Sequence, residues 1–141
     1  MVPLQWIEKS SVVIGKEAKY IDEVNALDYF AGYCVINDIS ERDFQIQREG
    51  QSIKGKSADT FGPIGPWLVS RDEVPDPQDL AMYLDVNGQR MQDDRTETMV
   101  YSVAHVVTYF PQFMLFQPGD IIATGTPSGV GMGMKPEPAH L

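Results

Sequence analysis

Short apolar runs alternate along the chain with dense punctuation by proline and glycine, so many short elements are expected. The stretch "SSVVIG" (10–15) reads as a strand ending at Gly15. "NALDYFAGY" (25–33) begins like a short helix capped by Asn25, after which "CVIND" (34–38) continues extended. In "FGPIGPWLVS" (61–70), Pro63 and Pro66 predict a loop feeding the strand "WLVS", because proline has no N–H for a central ladder.

The hairpin signal is clearest in "LAMYLDVNGQRMQ" (80–92), where alternating apolar residues flank Asn87-Gly88, a dipeptide suited to the positive φ angles of a type I′ turn. "SVAHVVTYF" (102–110) predicts a helix capped by Ser102 and stopped at Pro111, with Val103, Val106, Val107 and Phe110 on one face. "QPGDIIATGTPSGVGMG" (117–133) then gives a turn, a buried strand and a glycine-rich loop. Many strands with few short helices define a mixed α/β, mainly β fold, and 141 residues suffice for a single domain with its own core.

Charge narrows the partners. Twenty acidic against 11 basic side chains leave a net charge of -9, with no Lys/Arg run as a local exception, which disfavours nucleic acid and anionic membrane surfaces. No apolar stretch approaches the roughly 18 residues of a membrane span. The single Cys34 lies in the apolar run "AGYCVI" and has no internal disulfide partner, which fits a reducing, cytoplasmic setting.

The segment "NDISERDFQ" (37–45) concentrates polar chemistry. "SERD" has the form of a capping box, with Ser40 and Asp43 bonding reciprocally. That role leaves Asp38, Arg42 and Gln45 unexplained: a carboxylate is a hard ligand for a divalent cation, and a guanidinium is a planar fork for a carboxylate. The loop "GTPSGVGMG" lacks the GK[ST] of a nucleotide-binding P-loop, but its successive N–H groups suit a carboxylate. Lys56 and Asp59 read equally as a solvated pair. His105 reads as a packed or surface histidine, His140 lies in a Pro-rich tail, and neither a Ser-His-Asp arrangement nor a zinc-type spacing can be assembled.

Taken in order and spacing, "NDISERDFQ", "KGKSADTFGPIGPW", "VNGQRMQ" and "QPGDIIATGTPSGVGMG" resemble the fumarylacetoacetate hydrolase family, over about Leu4 to Pro136. "VIGKEAKYIDE", "ALDYFAGYCVINDIS" and "DTFGPIGPWLV" look most like its 2,4-diketo-3-deoxy-L-rhamnonate hydrolase branch. The resemblance implies a β-roll fold, a homodimer, and a Mg2+ or Mn2+ site that chelates a small 2-oxo or 2,4-dioxo acid of sugar-acid or aromatic catabolism. It further implies hydrolysis, decarboxylation or isomerisation through a metal-stabilised enolate. Residue by residue, it makes Asp38 the metal ligand, Arg42, Gln45, Gly125 and Thr126 the substrate-binding residues, and Lys56 the catalytic lysine beside the metal-bound water.

The family's other two metal ligands are glutamates spaced E-x-E before the "VVIG" motif. In "LQWIEKSSVVIG" (4–15) an ungapped match puts Ile7 and Lys9 at those positions, with Glu8 pointing to the opposite face of the strand. A one-residue slip would turn Glu8 inward only by misplacing the strand's apolar set. A unit charge about 5 Å away is worth roughly 3 kcal/mol at an effective dielectric of about 20, so both the lost carboxylates and the added Lys9 weaken a cation site. The family's acid/base lid precedes this segment, and closing strands follow "MKPEPAHL" in relatives, so the chain reads as a core truncated at both ends. Two functions are therefore expected: a 2-oxo acid enzyme, impaired or intact, or a noncatalytic relative that retains the fold as a binding or interaction subunit.

Overall fold

Val12 is fully buried at the centre of the molecule, opposite Tyr33 on one neighbouring strand and Ile122 on the other. The computed structural model describes residues 4–5, 7–136 and 138. In it β2 (Glu8–Ile14) pairs antiparallel with both β3 (Phe30–Asn37) and β8 (Ile121–Ala123), and β5 (Ile64–Ser70) extends the sheet beyond β3. Cross-strand partners share a face, so Val12, Tyr33 and Ile122 form one apolar row. Against it pack Val103 and Val107 of α1 (Val103–Tyr109), together with Ile14, Phe30 and the bridged pair Ala18 and Phe116. The strand read from "SSVVIG" is β2, ending before Gly15.

Two further pairs complete the mixed, mainly β architecture. β6 (Ala81–Val86) and β7 (Gln89–Arg95) form the predicted hairpin, with Asn87 and Gly88 at φ 52° and 79°. β4 (Ser40–Glu41) pairs with β1 (Leu4–Gln5), which brings Gln5 level with Ser40.

The structure shifts several element boundaries. No helix is capped by Asn25: a 3-10 turn covers Glu23–Tyr29 behind Asp22, and Phe30 already belongs to β3, because the buried sheet claims the apolar run that a helix would have used. Pro66 lies inside β5 instead of a preceding loop. It is tolerated there because β5 is an edge strand whose register breaks opposite Tyr33 and Val35. Ser102 caps α1 as expected, its Oγ accepting from the His105 N–H at 3.0 Å. Pro111 does not form the stop, since α1 ends at Tyr109 and a 3-10 turn, Phe110–Gln112, carries Pro111 within it. The tighter winding turns Phe110 off the buried face, leaving it 37% exposed. β8 is half-buried: only Ile122 of its three residues faces the core, because β8 is the other edge of the sheet.

Candidate active site

The sheet's antiparallel order fixes where chemistry collects. The start of β2 lies beside the end of β3, where Glu8 opposes Asn37, and beside the end of β8, where Ser11 opposes Ala123 and the Thr124 N–H donates to Ser10 O at 3.0 Å. Lys9, Asp38 and the Gly125–Thr126 segment therefore meet at one end of one sheet, although they are far apart in sequence.

Asp38 follows β3 directly and is held to the start of β2 by its N–H, which donates to Ile7 O at 2.8 Å. Its Oδ2 accepts from two ammonium groups, Lys9 at 2.9 Å and Lys56 at 2.6 Å. Lys56 also donates to Ser40 Oγ at 2.8 Å, and Ser40 Oγ in turn donates to Asp38 O at 3.1 Å. Lys56 thus pairs with Asp38, while Asp59 stays exposed. The close passage of the Lys56 loop depends on Gly55, where an added Cβ would lie 2.6 Å from Gln45 Cβ and 2.8 Å from Glu41 O.

The capping box expected of Ser40 and Asp43 does not form. The buried Glu41 carboxylate takes its place, accepting from the N–H groups of Asp43 at 2.9 Å and Phe44 at 2.6 Å at the start of the π-helical turn Asp43–Gln47. The reason is local: Ser40 is fully buried in β4 and its hydroxyl is taken by Asp38 and Lys56. Arg42 lies between two glutamines, its Nε donating to Gln5 Oε1 at 2.9 Å and its Nη1 to Gln45 Oε1. These bonds fix the plane of the guanidinium fork.

Gly125 and Thr126 are exposed and line an apolar pocket of about 200 Å3 together with Ser10, Thr96, Met99 and Tyr101. Ser10 and Lys9 are adjacent on β2 and so face opposite ways, which puts the pocket and the Asp38 cluster on different faces of this sheet end. The glycine loop is anchored to the hairpin by Gln92, whose Nε2 donates to Thr126 Oγ1 at 3.3 Å and to Pro127 O at 2.9 Å. Gly129 has φ 98° and lies so close to β7 that a Cβ would sit 2.0 Å from Met91 O.

Burial alone would raise the Asp38 carboxyl, but the hydrogen bonds from Lys56 and Lys9 outweigh it and hold the group below the usual carboxylate range. Burial lowers Arg42 against the opposing pull of Asp38, which shows that the two side chains act on each other; a guanidinium remains cationic regardless. Lys9 and Lys56 thus pair with one ionised carboxylate, and Arg42 lies close enough to feel its charge, in an otherwise acidic chain.

This donor set does not fit Mg2+ or Mn2+. The two positions expected to be glutamates are Ile7, buried at 7% exposure, and Lys9, whose ammonium already occupies the Asp38 oxygen a cation would need. Among the described residues no group of three or more His, Cys, Asp or Glu side chains is placed to hold a metal. The β2 register shows no slip at Glu8, which opposes Asn37; its side chain lies outside the described residues, as do Trp6 and His140. His105 is a surface residue stacked 5.0 Å from Tyr101, with Nδ1 3.7 Å from Glu23.

Of the residues singled out in the sequence, Asp38, Lys56, Arg42 and Gln45 come together with Lys9, while Gly125 and Thr126 stand at the adjoining strand end. Ser40's bridging role, the Glu41 cap and the Gln92 anchor escaped the sequence. Gln92 closes the motif "VNGQRMQ", but its place in an alternating hairpin reads as a polar residue facing water and gives no sign of the anchor.

Comparison with known proteins agrees with this architecture. Residues 11–141 match the family model described as fumarylacetoacetate (FAA) hydrolase C-terminal. A Burkholderia multivorans protein whose name places it among hydrolases is 59% identical over 140 residues, covering 99% of this chain and 50% of the relative. Among solved structures, fumarylacetoacetate hydrolase from Exiguobacterium antarcticum superposes with a TM-score of 0.92 at 39% identity, over 99% of this chain and 49% of that one. A 2-hydroxyhepta-2,4-diene-1,7-dioate isomerase from Mycobacterium marinum gives 0.85 at 40% identity, over 92% and 50%. The chain belongs to the fumarylacetoacetate hydrolase family. It spans about half the length of the relatives it matches.

Proposed function

We propose that this chain carries the substrate-binding core of a hydrolase- or isomerase-type enzyme acting on a small 2-oxo or 2,4-dioxo acid, through hydrolysis, decarboxylation or isomerisation by way of an enolate. The observation that carries this reading is the pairing of Lys9 and Lys56 on one oxygen of Asp38, with the glutamine-held Arg42 nearby, in a chain of net charge -9. An isolated cationic site in an acidic surround captures a small dianion selectively. Arg42, its plane set by Gln5 and Gln45, takes the substrate carboxylate, whereas Gly125 and Thr126 line the pocket on the other face of this sheet end and stay outside that contact. Lys56 holds its ammonium toward the carbonyl oxygen, where negative charge grows as the enolate forms. Mg2+ or Mn2+, which the family resemblance implies, enters no step of this scheme because the donors do not suit it.

A homodimer in the cytoplasm accompanies this reading, supported by the exposed Trp67 and Leu68 on edge strand β5; among the described residues no helix is long and apolar enough to cross a membrane. A second reading, carboxylate binding without turnover as an interaction subunit, is favoured by one feature, the buried Ile7 where a ligand is expected. Turnover of acylpyruvates, followed by loss of the enol absorbance, separates the two. Measurable turnover reduced about a hundredfold by Lys56→Met is the expected result; oxalate binding with no turnover of any acylpyruvate would establish the second reading instead.

A further inference from the structure

We infer that the Lys9 ammonium serves as the site's resident cation, so that the 2-oxo acid is bound by direct lysine hydrogen bonds without a divalent metal. This deepens the proposed function and rests on its premise that the site takes such an acid.

Three observations support it. Both lysine ammonium groups reach the same Asp38 oxygen, at 2.9 and 2.6 Å, so a divalent ion seeking that ligand meets two cations already in place. Each ammonium repels the incoming ion directly, and little solvent lies between them to screen that repulsion. The donor inventory then favours an anion. An ammonium has three N–H donors; among the described residues Lys9 uses one, on Asp38, and Lys56 uses two, on Asp38 and Ser40. Donors on both lysines therefore remain for a ligand with two adjacent oxygens, which is the chemistry of a 2-oxo carboxylate or oxalate. Finally, the local charge is positive. Two lysines pair with Asp38, Arg42 lies near enough to feel its charge while bonding to Gln5 and Gln45, and the nearby Glu41 is committed to the amides of Asp43 and Phe44. A lysine at position 9 thus changes the recognition chemistry from metal chelation to charge-assisted hydrogen bonding.

The test uses the 141-residue chain with oxalate as the probe, by calorimetry in EDTA and again with excess Mg2+. Direct Mn2+ binding is read separately from the paramagnetic resonance signal of the free ion. The expected result is oxalate affinity equal within about threefold in the two conditions, weakened at least about tenfold by Lys9→Met, and no Mn2+ uptake up to millimolar concentrations. Lys9→Glu, which returns a carboxylate to the position, is expected to bring measurable Mn2+ uptake. Oxalate binding that requires Mg2+, or micromolar Mn2+ binding by the unaltered chain, would overturn the inference while leaving the proposed function standing. Absence of oxalate binding in every condition would overturn both.

Discussion

The ammonium of Lys9 lies 2.9 Å from Asp38 Oδ2, across the junction where the start of β2 meets the end of β3. With Lys56 on the same oxygen, Asp38 is the counterion that lets two lysines share a site in which both are only 20–30% exposed. Asp38→Asn is expected to cost about 1–3 kcal/mol, because two like charges held roughly 5 Å apart lose their screen. Lys9→Met added to Asp38→Asn should recover most of it. Urea unfolding of the two single variants and the double variant measures this coupling, and strictly additive losses would show that the lysines do not repel.

Two buried serines should respond in opposite directions. Ser40 Oγ donates to Asp38 O and accepts from Lys56, so Ser40→Ala is expected to lose about 1–2 kcal/mol. Ser11 Oγ, fully buried in β2, has no hydrogen-bond partner among the described residues. Ser11→Ala therefore removes an unmet polar group and should gain about 1 kcal/mol. Thermal unfolding of both variants is sufficient, and a loss of stability in Ser11→Ala would mean that its hydroxyl is in fact satisfied.

Gly55 and Gly129 hold the two loops against their supports. At Gly55 the clash of an added Cβ falls on Gln45 Cβ and Cα and on the Glu41 carbonyl, none of them the free end of a side chain, so Gly55→Ala should destabilise by about 1–3 kcal/mol and displace Lys56. At Gly129 the same change meets Met91 O and an unfavourable φ of 98° together. Gly129→Ala should detach the 125–130 loop from the hairpin, read as faster proteolytic cleavage there with little change at the Asp38 site. Equal cleavage rates in variant and parent would contradict this.

Burial raises the Cys34 thiol above its ordinary range. A group raised in the folded state contributes stability that is complete below the unfolded pKa and is lost as pH rises through the folded one. Urea unfolding between about pH 8 and pH 10 should thus show a decline that Cys34→Ala diminishes. Native Cys34 should also react more slowly with iodoacetamide than it does in denaturant. A decline of the same slope in Cys34→Ala would assign the effect to other groups.

Features whose cause is local were legible in the sequence. Asn87-Gly88 specifies its turn through two positive φ angles, and Ser102 caps α1 through a bond three residues away. Lys9 stood out as a cation where a carboxylate was expected, but its pairing with Asp38 depends on a sheet register that joins residues 29 apart. The errors share that origin. Asn25 has the chemistry of a cap, yet β3 takes the following apolar residues, and Ser40 is drawn from capping into a network completed by Lys56. Gln92 lies on a strand whose alternation looks solvent-facing until the 126–129 loop folds over it.

The antiparallel placement of β2 between β3 and β8 has a consequence for how a ligand would be felt. Residues 9, 38 and 125 are brought together by the sheet itself, with no hinge or short loop joining them. Lys9 and Asp38 cannot separate while the pairing of β2 with β3 remains intact, so a ligand held by this pair should stabilise the slowest, global unfolding event over local fraying. In hydrogen exchange, oxalate should protect the Val12 and Tyr33 amides, deep in the core and on the strands that carry Lys9 and Asp38, as strongly as amides at the site itself.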